Sequence, residues 1–384
     1  MVDFSFLIAY PLTIQRRTLG VENVLPRKET KNEQKGRKTM KKTIAFFLIL
    51  AMMLALCACG SSGSSASTAT GDGEAKYDSI TLTMAVNGTD TQIDTKVANY
   101  FKELVEEESQ GSIIIEVYPN DQLAGGNATK GIEMIADGST DLAAYATSVL
   151  SVLDERLSIG TVPWMFNNYT EARETIDATG LAYYDSILQE QGITAIGSFH
   201  NGFRQLTNSK RAVTSPDDLK GLKIRVPGSE VYMNFFKAFG ADPVAMNWSE
   251  VFTALQQGTI DGQENGVSIT STSGVVEVQK YMTIWNYTYE NDLFLATSAI
   301  WNTLSEATRQ MLTEKAVEAC NWGRDQVEAE QETLIAEFEE QGMEVTILTP
   351  EQLAPFQEVV KDLRQSFFEK YGEEACAAFG VELG

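Results

Sequence analysis

From Ser79 to Tyr145 strand and helix signatures follow one another without interruption, and that rhythm leaves few architectures open. Ser79-Ile80-Thr81-Leu82-Thr83-Met84-Ala85-Val86 alternates with the two-residue period of a strand. Residues 92–108 then place Val97, Phe101, Leu104 and Val105 on one face of a helix, which Gly111 stops. A second strand over Ile113-Ile114-Ile115-Glu116-Val117-Tyr118 ends at Pro119, and a second helix over residues 128–136 closes at Gly138. Leu142 to Tyr145 and Ile193 to Ile196 read as further short strands. Successive β-α-β-α units predict a mainly parallel sheet covered by helices, an α/β fold.

The second half carries clearer punctuation. Ser215 stands at a helix cap, with Pro216 in the first helical position, Asp217 and Asp218 in the first turn and Gly221 as terminator. Leu222-Lys223-Ile224-Arg225-Val226 follows as a strand that Pro227 ends. Its alternation sets Arg225 off the apolar face at the carboxyl end of the strand, where ligands bind in open α/β sheets. Asn247, three residues before Glu250, resembles a cap for a helix through Gln257, with Val251, Phe252 and Leu255 inward and Gly258 at its end. Thr259-Ile260-Asp261 is expected to re-enter the sheet before a polar turn, Gly262-Gln263-Glu264-Asn265-Gly266.

Residues 306–338 place Leu312, Ala316, Cys320, Gly323, Val327, Leu334 and Phe338 mostly three or four apart, which predicts one helix on the order of 50 Å long. A single core rarely grows past roughly 250–300 residues, so a chain of 384 residues is expected to form two domains, with this helix crossing both. Cys320, on its apolar side, reads as a buried thiol.

Charge narrows the partners. Beyond residue 58 the chain carries 20 basic against 49 acidic side chains, a net of −29. Such a surface repels phosphates and argues against nucleic acid. It equally fails to steer an anionic solute, so anion recognition has to come from a few local cations. His200 is the only histidine, which removes histidine clusters, Ser-His-Asp triads and Cys-His pairs. No zinc signature, nucleophile elbow or phosphate loop is present, so no metal or cofactor is expected.

The early chain has the three-part build of an export signal: Lys41-Lys42, an apolar run from Thr43 to Leu56, then Cys57-Ala58-Cys59-Gly60. That run is too short to span a membrane comfortably. A Gly/Ser-rich tether follows to about residue 78. The order resembles a bacterial lipoprotein leader, with Cys59, preceded by the small Ala58, as the lipidated residue. Residues 1–39 precede this leader and read as a spurious extension of a protein that starts at Met40, with 40–58 as signal peptide and 59–78 as tether.

The chain resembles the DctP-type solute receptors of tripartite ATP-independent periplasmic (TRAP) transporters. The resemblance rests on Tyr118-Pro119 with Gln122-Leu123 and Gly125, on Gly138-Ser139-Thr140-Asp141 and on Gly202-Phe203-Arg204. It rests most on the runs Asp218 to Pro227 (DLKGLKIRVP) and Ser249 to Asn265 (SEVFTALQQGTIDGQEN), and it extends from about Ser79 to the C-terminus in the same order.

The resemblance implies a two-lobed periplasmic-binding-protein-like fold, with crossing strands and a long helix spanning both lobes: 79–202 plus 291–330 as lobe I, 203–290 plus 331–384 as lobe II. It implies that Arg225 makes a two-pronged salt bridge to a solute carboxylate, a task suited to the planar guanidinium fork. It further implies Asn265 beside that carboxylate, Arg204 as a second cation, Trp248 as an aromatic at the cleft, and Asn87 and the Ala144-Tyr145-Ala146-Thr147 segment facing the solute. No acidic residue stands in that segment, which counts against a sialic-acid-like ligand.

The implied function is an exported receptor for a C4-dicarboxylate or a sugar acid, with TRAP membrane subunits as partners. Each residue also has a plainer role open to it. Arg225 or Arg204 could pair with an acid, Trp248 could be a core or hinge aromatic, and Asn265 or Asn87 could serve a turn. Two other functions share the sequence: a sensor serving a membrane kinase, and an exported sugar-acid enzyme, for which Asp261 and Glu264 are too weakly supported to serve as an acid/base pair.

Overall fold

Alternating apolar residues at the head of the described chain, residues 76–383 of the computed structural model, form β1 (Ile80–Val86). The helix after it is α1 (Ile93–Glu108), and β2 (Ile113–Tyr118), α2 (Ala128–Ala136), β3 (Leu142–Ala146) and the short α3 (Thr147–Leu150) continue the rhythm. The expected leader, the extension over 1–39, Cys59 and most of the tether lie outside the described residues.

The chain continues through α4 (Tyr169–Thr175), α5 (Leu181–Glu190), β4 (Ile193–Asn208), β5 (Lys223–Val226), α6 (Glu230–Ala238), β6 (Asp242–Ala245), α7 (Trp248–Gln256), β7 (Gly262–Gly266) and α8 (Val267–Thr272). It closes with β8 (Tyr281–Ile284), β9 (Tyr289–Thr297), α9 (Ser298–Trp301), α10 (Glu306–Glu340), β10 (Glu344–Ile347), α11 (Pro350–Val359) and α12 (Lys361–Ala378). No helix among the described residues is long and apolar enough to cross a membrane.

The strands run β2-β1-β3-β9-β4-β7-β5-β6, with β8 joining β4 and β10 joining β8. Pairing is parallel within β2-β1-β3 and within β7-β5-β6, and antiparallel wherever β4 or β9 takes part in that order. Two parallel α/β halves are therefore joined through β4 and β9, the two-lobed architecture with crossing strands.

Two stretches differ most from the sequence reading, and the helix expected after Ser215 is only a 3₁₀ turn over Pro216–Leu219. Ile193 to Ile196 is only the start of β4, which runs 16 residues. Residues 193–203 pair with β9, and 204–208 pair with β7 and β8. His200, Asn201, Arg204, Gln205 and Asn208 interrupt its apolar pattern, yet all are buried and hydrogen-bonded inside the protein. The expected turn at 262–266 is instead β7, buried along its whole length. Its polar side chains find interior partners: Gln263 donates to Thr207 Oγ1 at 3.1 Å, and Glu264 pairs with Arg204. Thr259 to Asp261, expected to enter the sheet, instead lie just before β7 begins at Gly262, although Asp261 N already donates to Lys223 O at 2.8 Å.

The long helix α10 has 35 residues, about 52 Å at 1.5 Å per residue. Its first half packs Leu312, Ala316 and Cys320 with Val97, Phe101 and Phe294, and its far end packs Phe338 with Val267, Met282, Ile284 and Met343 in the other half. Two glycines permit this closeness. A Cβ at Gly323 would run into Val97 Cγ2, and one at Gly197 on β4 would lie 2.9 Å from Cys320 Sγ. Cys320 and Cys376 are both buried free thiols.

Candidate functional site

The carboxyl ends of β1, β3, β5 and β7 converge, and the residues just past them line a cleft between the halves. Its larger cavity, about 230 Å³, is walled by Asn87, Ala128, Val149, Arg225, Met246 and Trp248 among others. A smaller, deeper one of about 40 Å³ shares Asn87, Val149, Arg225, Pro227 and Trp248 and adds Gln92, Asp94, Ser148, Asn201, Arg204 and Asn265.

Arg225 stands where the two cavities meet. Ile224 and Val226 turn into the core, Lys223 stays exposed, and Pro227, lacking an N–H, ends the ladder. Arg225 as a whole is only 4% exposed. Its Nε and Nη2 donate to Met246 O at 3.0 and 2.7 Å, and its carbon lies 5.3 Å from the centre of the Trp248 ring. No carboxylate among the described residues stands within 4.0 Å of it. Burial pushes its pKa below the usual arginine range, partly opposed by the field of Glu264 and reinforced by that of Arg204. A desolvated cation costs several kcal/mol, and contact with an aromatic face returns about 0.5–2. A carboxylate in the cleft would offset much of the remainder.

Arg204 is placed differently. Its Nε and Nη2 grip both carboxylate oxygens of Glu264, Nη2 to Oε1 at 2.9 Å, and Glu290 Oε2 lies 3.6 Å from Nη1. Arg204 borders the inner cavity with its charge already compensated, so Arg225 alone among the cavity-lining cations of the described residues lacks a carboxylate. Asp261 and Glu264 do not form an acid/base pair. Glu264 is bound to Arg204 and to the Tyr287 hydroxyl at 2.7 Å, whereas Asp261 accepts from Lys210 at 3.2 Å near the surface.

Of the six residues singled out in the sequence, five line the cleft: Arg225, Asn265, Arg204, Trp248 and Asn87. Tyr145 does not. β3 is buried on both faces, and the Tyr145 hydroxyl donates to Asp121 Oδ1 at 2.8 Å, behind the wall. Gly131 makes this possible, since a Cβ there would collide with that hydroxyl. Asp121 in turn accepts from Asn87 Nδ2 at 2.6 Å, so Tyr145 supports Asn87 from one layer back.

Gln92, Asp94, Ser148 and Asn201 also line the inner cavity and were missed. Gln92 and Asp94 occupy the cap and first turn of α1, where polar residues are ordinary, and only the turn run Thr89-Asp90-Thr91-Gln92 pointed to them. Asp94 faces Asp292 of β9. Burial raises the Asp94 pKa to about 6, and burial beside Asp94 and Glu290 holds Asp292 well above the carboxylate range, so the pair shares a proton. No group of three or more His, Cys, Asp or Glu among the described residues could hold a metal ion.

The cleft is bridged at its mouth. Trp248 Nε1 donates to Gln92 Oε1 at 3.2 Å, Ser249 Oγ to Gly126 O at 2.8 Å, and Ala128 N to Asn247 Oδ1 at 3.4 Å. Asn247 thus stands at the predicted cap of α7, but its side-chain oxygen is turned across the cleft.

Residues 84–371 match the family model DctP, "Bacterial extracellular solute-binding protein, family 7". The chain is 32% identical over 248 residues to the 2,3-diketo-L-gulonate-binding periplasmic protein YiaO of Escherichia coli K12, covering 65% of this chain and 75% of that protein. It is 30% identical over 285 residues to the C4-dicarboxylate-binding periplasmic protein DctP of Rhodobacter capsulatus, covering 74% and 85%. Its structure is similar to that of the sugar acid binding protein DctPAm of Advenella mimigardefordensis in complex with galactonate, with a TM-score of 0.75, 26% identity and coverage of 79% and 97%.

Proposed function

The chain belongs to the DctP family of bacterial extracellular solute-binding proteins, and we propose that it is an exported, lipid-anchored receptor that captures a small organic acid and delivers it to TRAP membrane subunits. The solute is a C4-dicarboxylate or a sugar acid, the classes named for its relatives. One observation carries the reading: Arg225 lines the cleft, buried, with no carboxylate partner among the described residues. A solute carboxylate would take the guanidinium edge that Met246 leaves unused, with the Asn265 amide beside it.

In this account the acid docks first on the half that carries Arg225 and Trp248, lobe II over 203–290 and 331–384. Lobe I, over 79–202 and 291–330, then swings in on β4 and β9 and is held by the bonds at the mouth. Lipid on Cys59 keeps the receptor at the membrane, and the closed surface is what the transporter subunits read. The enzyme reading gains nothing from Asp261 and Glu264, the acids already set aside as too weakly supported, because they serve different partners.

A thermal-shift screen of organic and sugar acids, followed by calorimetry and recovery of the ligand, tests this. The expected result is one or more acids that raise the melting temperature, bind at micromolar strength or tighter, and are recovered chemically unchanged. Consumption of the acid, or no response to any carboxylate, would contradict it.

A further inference from the structure

Two acids meet at the wall of the inner cavity. Asp94, in the first turn of α1, lines it together with Arg225, and Asp292 of β9 faces Asp94 from outside the lining. Asp94 Oδ1 and Asp292 Oδ1 are both buried with no hydrogen-bond donor in reach. Ionised carboxylate oxygens only accept, so a proton held between the two acids is the partner that both lack. Gly88 makes room for this, since a Cβ there would collide with the Asp94 carboxyl. The surrounding charges are mostly acidic. Asp121 adds its field to Asp94 and Glu290 to Asp292, while Arg204 of β4 opposes them and Asn201 offers Asp292 a hydrogen bond. Tyr289 of β9 and Cys320 of α10 also feel Asp292, and burial keeps both neutral. His200 is committed elsewhere, to Tyr289 and Glu328.

We infer that binding of an anionic solute draws a further proton from solvent onto the Asp94 and Asp292 pair, so that the receptor takes up solute and proton together. This rests on the receptor reading above and adds a second ligand to it. With one proton on the pair, the guanidiniums of Arg204 and Arg225 stand against Glu264, Glu290 and one remaining carboxylate, a net of −1. A solute carboxylate beside Arg225 makes that more negative in a space from which it expels water, and a second proton on the pair restores the balance. One carboxyl O–H forms on the pair while hydronium or a buffer acid gives up the same proton. Burial already holds Asp94 at about 6 and Asp292 well above the carboxylate range. The bound anion raises the Asp94 step further, so the gain in affinity is fully present below about 6 and is lost as pH rises through the raised value of the bound form.

The test is calorimetry on the purified protein with the tightest binder among fumarate, D-galactonate, D-gluconate and L-threonate, all ionised above pH 6. Titration at pH 7 in PIPES and in imidazole, whose ionisation enthalpies differ, reads the protons taken up per solute, and titrations at pH 6, 7, 8 and 9 give the affinity profile. A coupling of about tenfold gives uptake of about 0.4 proton per solute at pH 7 and a Kd about fivefold weaker at pH 8 than at pH 6. In Asp94→Asn and Asp292→Asn, shown to be folded by thermal melts, the uptake should fall toward zero and the profile flatten. Uptake by Arg225 instead would grow toward pH 9 and survive in both variants. If neither variant folds, the parent profile decides, being steepest between pH 6 and 8 for the acid pair. Binding without uptake, with proton release, with a profile steepest toward pH 9, or with equal uptake in parent and variants overturns the coupling and leaves the receptor reading intact. Absence of binding by all four acids overturns both.

Discussion

Two arginines border one cleft, and their surroundings give them different tasks. Arg204 has a carboxylate gripping it and holds β4 to β7, whereas Arg225 has a carbonyl, an aromatic face and open cleft. Beside them the Asp94 and Asp292 pair makes a prediction whose sign can be worked out. The folded pair keeps a proton that the unfolded chain, with carboxyls near about 4, gives up. The pair's contribution to stability therefore falls as pH rises from about 4 through 6, and goes on falling above 6 until Asp292 is ionised as well. Asp292→Asn removes that penalty, so its melting temperature should exceed the parent's more at pH 8 than at pH 4. A difference independent of pH would contradict the shared proton.

At this scale the sequence was legible where strand grammar applied. Pro227 ending a short alternating strand marked Arg225, but nothing in the residue pattern separated a free arginine from the paired Arg204. Tyr145 was misjudged because a strand buried on both faces gives no sign of which side reaches the cleft.

Among the elements, regular amphipathic segments read correctly: α2 and β2 keep the expected bounds, and α10 runs two residues further. The elements that build the site were harder. β7 is Gly-Gln-Glu-Asn-Gly, a turn by composition, and it becomes a central strand because Arg204, Thr207 and Tyr287 satisfy its side chains. Those partners are distant in sequence, so no local window shows them. The contact between α1 and α10 gives the element-scale prediction. Gly323→Ala gains about 1 kcal/mol of helix propensity, but its methyl meets Val97 between closely packed backbones, where overpacking costs about 1–3 kcal/mol. The variant should melt several degrees lower, and Val97→Ala should restore much of the loss. A stabilised Gly323→Ala would show that α1 has room to move.

Across the whole molecule, closure and anchoring are the claims. Bonds from Trp248, Ser249 and Asn247 cross the cleft to Gln92, Gly126 and Ala128, so a bound acid should favour the compact form. Small-angle scattering should show a smaller radius of gyration with saturating solute, and an unchanged radius would count against hinge bending. Cys59→Ala should move the protein from the membrane fraction to the soluble one, while retention at the membrane would place the anchor elsewhere. The account turns most directly on one titration, the solute found by screening measured by calorimetry against the parent protein and against Arg225→Ala. Loss of the guanidinium should weaken binding by about 2–5 kcal/mol with the fold intact; affinity equal to the parent's would remove Arg225, and with it the proposed mode of capture.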